Sequence, residues 1–186
     1  MQAACGSCLH EPPAFDACQV LADYDFPWNR LIANLKFGGQ PDLARPLADA
    51  LASRLVDAGH TAGIDLLIPI PMGPFRLSQR GYNQAWELAR HMARLCRIEA
   101  ASDCLIRWRE TPPQSGLGRV ERERNLRDAL AVQPHWAQRL AGRHVALVDD
   151  VLTTGVTAES AAQALRQCGV RRIDVWVVAR TPAPAD

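Results

Sequence analysis

Asp149 and Asp150, followed by the turn Thr153-Thr154-Gly155-Val156-Thr157, are the residues of this chain whose types and spacing best suit chemistry. A pair of carboxylates accepts hydrogen bonds from hydroxyls or holds a hard cation through its waters. A hydroxyl-rich turn opening into a helix offers donors of a different kind. The first backbone N–H groups of a helix have no partner inside it and carry partial positive charge, so a phosphate placed there receives several charge-assisted hydrogen bonds. Thr153, Thr154 and Thr157 add hydroxyls, and Gly155 lets the backbone approach closely. Two acids beside a phosphate would repel it unless they face another part of the same ligand. The combination therefore points to a phosphorylated sugar, with its phosphate in the turn and its ring hydroxyls on Asp149 and Asp150, directly or through a magnesium-bound water. Taken singly, either aspartate could instead cap the helix or solvate a strand end.

The flanking residues supply the elements that would hold this turn. Val145 to Val148 is an apolar run without periodicity, as in a strand buried on both faces of a parallel sheet. Ala158 to Cys168 has the 3.6-residue spacing of a helix packed on that sheet. A second strand–loop–helix unit lies upstream. Asp65 to Pro71 is a short apolar strand halted by its prolines, Met72 to Gly81 is a loop bearing Arg76 and Arg80, and a helix runs from Tyr82 to Arg97 with Ala85, Ala89, Met92 and Cys96 inward. Before it come a helix ending near Lys36-Phe37-Gly38-Gly39 and another over 42–58 with the leucine stripe Leu43, Leu47, Leu51, Leu55. Cys104 to Trp108 is a further candidate strand, Arg124 to Leu130 a short helix, and Ile173 to Ala179 the last strand. The polar segment from Glu110 to Arg124 is long for a passive connection and suggests a functional loop. Parallel crossovers predict an α/β doubly wound sheet binding its ligand at the carboxyl ends of the strands.

A chain of 186 residues with 48% hydrophobic and 22% charged residues suits one soluble α/β domain with a short appendage. The expected division is a cysteine-bearing segment over 1–20 and the main domain over 21–186. No stretch is apolar enough to cross a bilayer and no signal-peptide pattern opens the sequence, so a cytoplasmic location is expected. The net charge of +1 gives no bulk attraction to polyanions. Only Lys36 among the 21 basic residues is a lysine, which excludes a Walker-type loop and leaves arginine for phosphate recognition. Cys96, Cys104 and Cys168 read as small buried hydrophobes. Cys5-Gly-Ser-Cys8 has the spacing of half a zinc knuckle, with Cys18 and His10 as further ligands, against an alternative of thiols that bind no metal.

The run Asp149-Asp150 then Thr153-Thr154-Gly155-Val156-Thr157 resembles the phosphoribosyl pyrophosphate (PRPP) signature of type I phosphoribosyltransferases. Together with Leu35-Lys36-Phe37-Gly38-Gly39, Ile68-Pro69-Ile70-Pro71, Arg80-Gly81-Tyr82-Asn83-Gln84, Gln114, Arg122-Glu123-Arg124-Asn125 and the N-terminal cysteines, it makes the chain similar to the ComF competence family of phosphoribosyltransferase-like proteins over roughly residues 5–180. That resemblance implies a type I phosphoribosyltransferase-like fold with a small N-terminal hood, and Mg2+ accompanying PRPP. Asp149 and Asp150 would hold the ribose hydroxyls, and Thr153 to Thr157 the 5'-phosphate. The loop after Pro71 would take the pyrophosphate, with Arg80 as its contact. Gln114 to Asn125 would close over the ligand, Arg122 and Asn125 either reaching the site or capping the helix that follows. Lys36 would reach in from the hood or stay solvated at its helix end. Zn2+ would sit on Cys5, Cys8 and Cys18.

Two classes of function follow. An enzyme would move phosphoribose to an acceptor that no residue identifies. A non-catalytic protein would sense PRPP or bind single-stranded DNA or competence proteins, as the family's link to DNA uptake in natural transformation implies, alone or as a homo-oligomer. Trp108 among Arg107, Arg109, Arg119, Arg122, Arg124 and Arg127 favours single strands. Glu110, Glu121, Glu123 and Asp128 offset those charges and favour a salt-bridged surface.

Overall fold

The computed structural model describes residues 12–107 and 130–181. In chain order the elements are β1 (Ala17–Asp23), α1 (Trp28–Phe37), a 3-10 turn (Pro41–Leu43), α2 (Ala44–Asp57), β2 (Leu66–Pro69), α3 (Pro74–Arg80), α4 (Gln84–Cys96), β3 (Leu105–Arg107), β4 (Leu130–Val132), α5 (Pro134–Leu140), β5 (His144–Leu152), α6 (Val156–Gln167) and β6 (Arg172–Arg180). Four strands form one parallel sheet in the order β1-β6-β5-β2. Beside β2, Ala100 makes a single parallel bridge to Leu67. All four strands run the same way, so the segments after β2 and β5 open on one rim.

Side chains alternate across a strand, and here both faces are apolar. Val145 and Leu147 of β5 with Ile173, Val175 and Val177 of β6 meet Ala158, Ala161, Ala162 and Leu165 of α6 and Trp136 and Leu140 of α5. Ala146, Val148, Trp176 and Val178 meet Ile32 and Leu35 of α1, Leu47, Leu51 and Leu55 of α2, and Leu88, Ala89 and Met92 of α4. Each buried leucine contributes about 1.5–3 kcal/mol. The outcome is the doubly wound α/β arrangement expected from sequence. No helix among the described residues is long and apolar enough to cross a membrane.

Four expectations change. Residues 74–80 are the helix α3 rather than loop: Pro74 starts it, and Gly81, at φ +82°, ends it in a left-handed conformation. Residues 105–107 do not join the parallel sheet; β3 pairs antiparallel with β4. Leu130, expected to close a short helix, begins β4. The seven residues of β1 form an unforeseen edge strand on β6, so the boundary expected between residues 20 and 21 falls inside it. This strand is tied down where it enters: Glu159 of α6 accepts the Ala14 N–H at 2.8 Å, and Arg166 pairs with Asp16 at 2.6 Å.

Candidate functional site

Strand β5 does not stop at the acid pair. It continues through Leu152, with Asp149 beside Val177, Val151 beside Ala179 and Leu152 beside Arg180. The two carboxyls remain close enough to interact with each other. Asp149 lines a cleft with Ile70, Thr153, Thr154, Gly155 and Thr157. Asp150, 2% exposed, meets the C-terminal end of α1, where Lys36 Nζ lies 3.0 Å from its Oδ1. Lys36 is thus neither solvated nor isolated. Its partner's Oδ2 is buried with no hydrogen-bond partner. Asp149 Oδ1 accepts the Asp150 N–H at 2.8 Å. Burial first, and the Asp150 charge second, push the Asp149 carboxyl well above the ordinary carboxylate range; the N–H bond and Lys36 oppose the shift.

The turn that follows leads into a helix whose start is left uncapped. Gly155 occupies the position before α6 at φ +79°, and no side chain caps that helix, so its first N–H groups face the turn. Thr153 and Thr154 are exposed, and among the described residues none of the three threonine hydroxyls has a hydrogen-bond partner. A Cβ on Gly155 would meet only Leu152 Cδ1, at 4.0 Å, so space is not what demands glycine. The backbone conformation is. Gly155→Ala is therefore expected to cost about 1–2 kcal/mol, read as a lower urea midpoint at unchanged m-value.

Across the rim, Asn83 fixes the other wall. Its amide donates to the Ile70 carbonyl at 3.0 Å while its oxygen caps α4 by accepting the Ala85 N–H at 3.0 Å. Arg80, the expected pyrophosphate contact, is engaged by its own neighbours. Its guanidinium bonds Gln84 Oε1 and lies 5.2 Å over the Phe37 ring, tying α3 to α4 and α1. Tyr82 strengthens that tie by donating its hydroxyl to the Leu35 carbonyl. Arg107, not assigned to the site from sequence, feels the Asp149 charge, and Arg76 feels Arg107. Arg107, at the end of β3, donates Nε to the Pro71 carbonyl at 3.3 Å. Burial lowers its pKa and so does the charge of Arg76, whereas Asp149 raises it. The two guanidiniums feel each other, and among the described residues no acid is ion-paired to either. Arg76 carried a signal in following β2; Arg107 stood out only as part of the basic segment around Trp108, because its strand pairs with residues distant in sequence.

Gln114, Arg122 and Asn125 lie outside the described residues, as do Cys5, Cys8 and His10. Cys18 is a residue of β1 opposite Val175, partly buried against the core under α6. Among the described residues no group of three or more His, Cys, Asp or Glu side chains gathers to hold a metal. Asp149 and Asp150 still fit magnesium, which needs only one or two carboxylates when a ligand's phosphates and water complete its shell.

The sequence pattern of the phosphoribosyl transferase domain matches residues 41–186. Competence protein F of Haemophilus influenzae is 38% identical over 181 residues, covering 95% of this chain and 78% of that protein. DNA utilization protein YhgH of Shigella flexneri is 34% identical over 180 residues, with the same coverage of 95% and 78%. Among solved structures, glutamine PRPP amidotransferase from B. subtilis, complexed with ADP and GMP, is 18% identical with a TM-score of 0.49 over 73% of this chain and 26% of that one. A domain match over most of the chain and relatives at this identity agree with the motifs at the sheet's rim: the chain belongs to the ComF family of proteins built on the phosphoribosyl transferase domain.

Proposed function

We propose that this protein binds PRPP with magnesium at the carboxyl rim of β2 and β5, in support of DNA uptake or utilization. The observation that carries this reading is a single cleft lined by the Asp149 carboxylate and the uncapped threonine turn. Asp149 and Asp150 accept the ribose hydroxyls, and the turn from Thr153 to Thr157 receives the 5'-phosphate. Arg76 and Arg107 flank the Pro71 loop, where the diphosphate arm would lie. Magnesium held by the acids and the ligand would neutralise the diphosphate charge. The purpose is supported by the relatives' names, one a competence protein and one a DNA utilization protein.

If phosphoribose is transferred, pyrophosphate leaves as positive charge develops on the sugar ring, and the chain's part is positioning and fixed charge. The acceptor would come from outside this set of residues. Isothermal titration with PRPP and magnesium tests the binding, and pyrophosphate release in the presence of bases, amines or single-stranded DNA tests transfer. Arg107→Gln is expected to weaken PRPP and inorganic pyrophosphate alike by about tenfold, one charge-assisted contact's worth. Wild-type protein that gave no heat with PRPP would end this reading.

A further inference from the structure

The one lysine of the chain sits where a ligand-binding carboxylate needs a counter-charge. Lys36 lies in the last turn of α1, and the Tyr82 hydroxyl bonded to the Leu35 carbonyl pins that end beside the site. Its Nζ reaches Asp150 Oδ1 at 3.0 Å, with side-chain exposures of 22% for the lysine and 3% for the aspartate. The other oxygen of the same carboxylate, Oδ2, is buried and bonded to nothing. A buried carboxylate with one oxygen held and one left over is costly in the free protein, because an unsatisfied charged acceptor gives up its hydration without return. Such an oxygen is suited to a hydroxyl donor that arrives with a ligand. Neither Asp149 nor the backbone can replace Lys36 in this role: Asp149 is itself an acid, and its Oδ1 is taken by the Asp150 N–H.

We propose that Lys36 is a positioning residue: by occupying Oδ1 it holds the Asp150 carboxylate turned so that Oδ2 receives a ribose hydroxyl of the bound phosphoribosyl ligand. This rests on the PRPP reading above and adds to it the residue that makes the second acid usable. Without the ammonium, Asp150 stands beside another acid with no compensating charge, and nothing holds its Oδ2 toward the ligand. The acceptor is then lost from its place. The guanidinium of an arginine at position 36 would supply the charge with altered reach, whereas methionine would fill the same space without it.

The test measures three affinities, for PRPP, ribose 5-phosphate and inorganic pyrophosphate, each with magnesium, in wild type, Lys36→Met and Lys36→Arg. Circular dichroism melts establish that each variant is folded. Lys36→Met is expected to weaken PRPP and ribose 5-phosphate by about tenfold or more while leaving pyrophosphate within about threefold, and Lys36→Arg to recover most of the loss. Pyrophosphate carries no ribose, so it reports the rest of the site. Equal weakening of all three ligands, or unchanged PRPP affinity in a folded Lys36→Met protein, would overturn the proposal while leaving wild-type PRPP binding intact. Absence of PRPP binding in wild type would remove the underlying reading and this inference together. A Lys36→Met protein too unstable to melt cooperatively, with a folded Lys36→Arg protein weakened equally for all three ligands, would also count against it.

Discussion

Replacing Asp149 and Asp150 together by asparagine is expected to weaken PRPP binding by about 10²–10⁴-fold. Each carboxylate that loses its charge gives up a charge-assisted hydrogen bond, about 1.5–3 kcal/mol, and a factor of ten in affinity is about 1.4 kcal/mol. The two residues share a backbone hydrogen bond and adjoin the same ligand, so their effects will not add fully, and the lower half of that range is the firmer expectation. The substitution preserves shape, and an asparagine side chain in place of Asp149 still offers an oxygen to the backbone N–H of the next residue. The experiment is a titration of wild type and double variant with PRPP at saturating magnesium. A double variant that bound as well as wild type would show that the ligand does not lie over the end of β5. Inorganic pyrophosphate without magnesium provides the contrast: its affinity should fall far less, since Arg107 beside Pro71 is untouched.

How far the sequence alone revealed this site depends on how local each determinant is. The β5–turn–α6 unit was legible because everything that forms it lies between His144 and Gln167: an apolar run, a glycine that turns left-handed, and an alanine-rich helix face. The leucine stripe of α2 was legible for the same reason. Helix α3 was missed because it buries no residue and so carries no apolar period; only Pro74 and Gly81 mark its ends. Strand β1 was missed because it is an edge strand with mostly half-buried side chains, whose partner β6 comes last in the chain. The same physics hid the Lys36–Asp150 pair and the place of Arg107. In both cases chemistry arises from packing two distant segments on one rim, and no short window of residues contains it. Arg80 shows the converse: its position in a motif was visible, while its engagement by Gln84 and Phe37 was not.

The two neighbouring aspartates should affect stability in opposite directions, and this follows from their different surroundings. Asp150 has a cation at 3.0 Å, so Asp150→Asn strands Lys36 in a mostly buried place and is expected to destabilise the ligand-free protein by about 1–2 kcal/mol. Asp149 has no such partner among the hydrogen bonds and ion pairs of the described residues, and its raised pKa means that ionising it opposes folding. A carboxyl whose folded pKa lies above its unfolded value stabilises the fold below about pH 4, where both states are protonated, and loses that contribution as pH rises toward the folded pKa. Asp149→Asn should therefore melt higher than wild type at pH 8, by roughly 1–3 kcal/mol or roughly 2–12 °C, with the gap closing as pH falls toward about 4. Thermal denaturation across that range reads both variants. An Asp149→Asn protein that melted lower than wild type at pH 8, or a gap indifferent to pH, would mean that the carboxylate is already ionised and satisfied in the free protein. A destabilising acid kept at the floor of a cleft is what a binding site requires, because hydroxyls and a cation brought by the ligand supply the partners that the chain withholds.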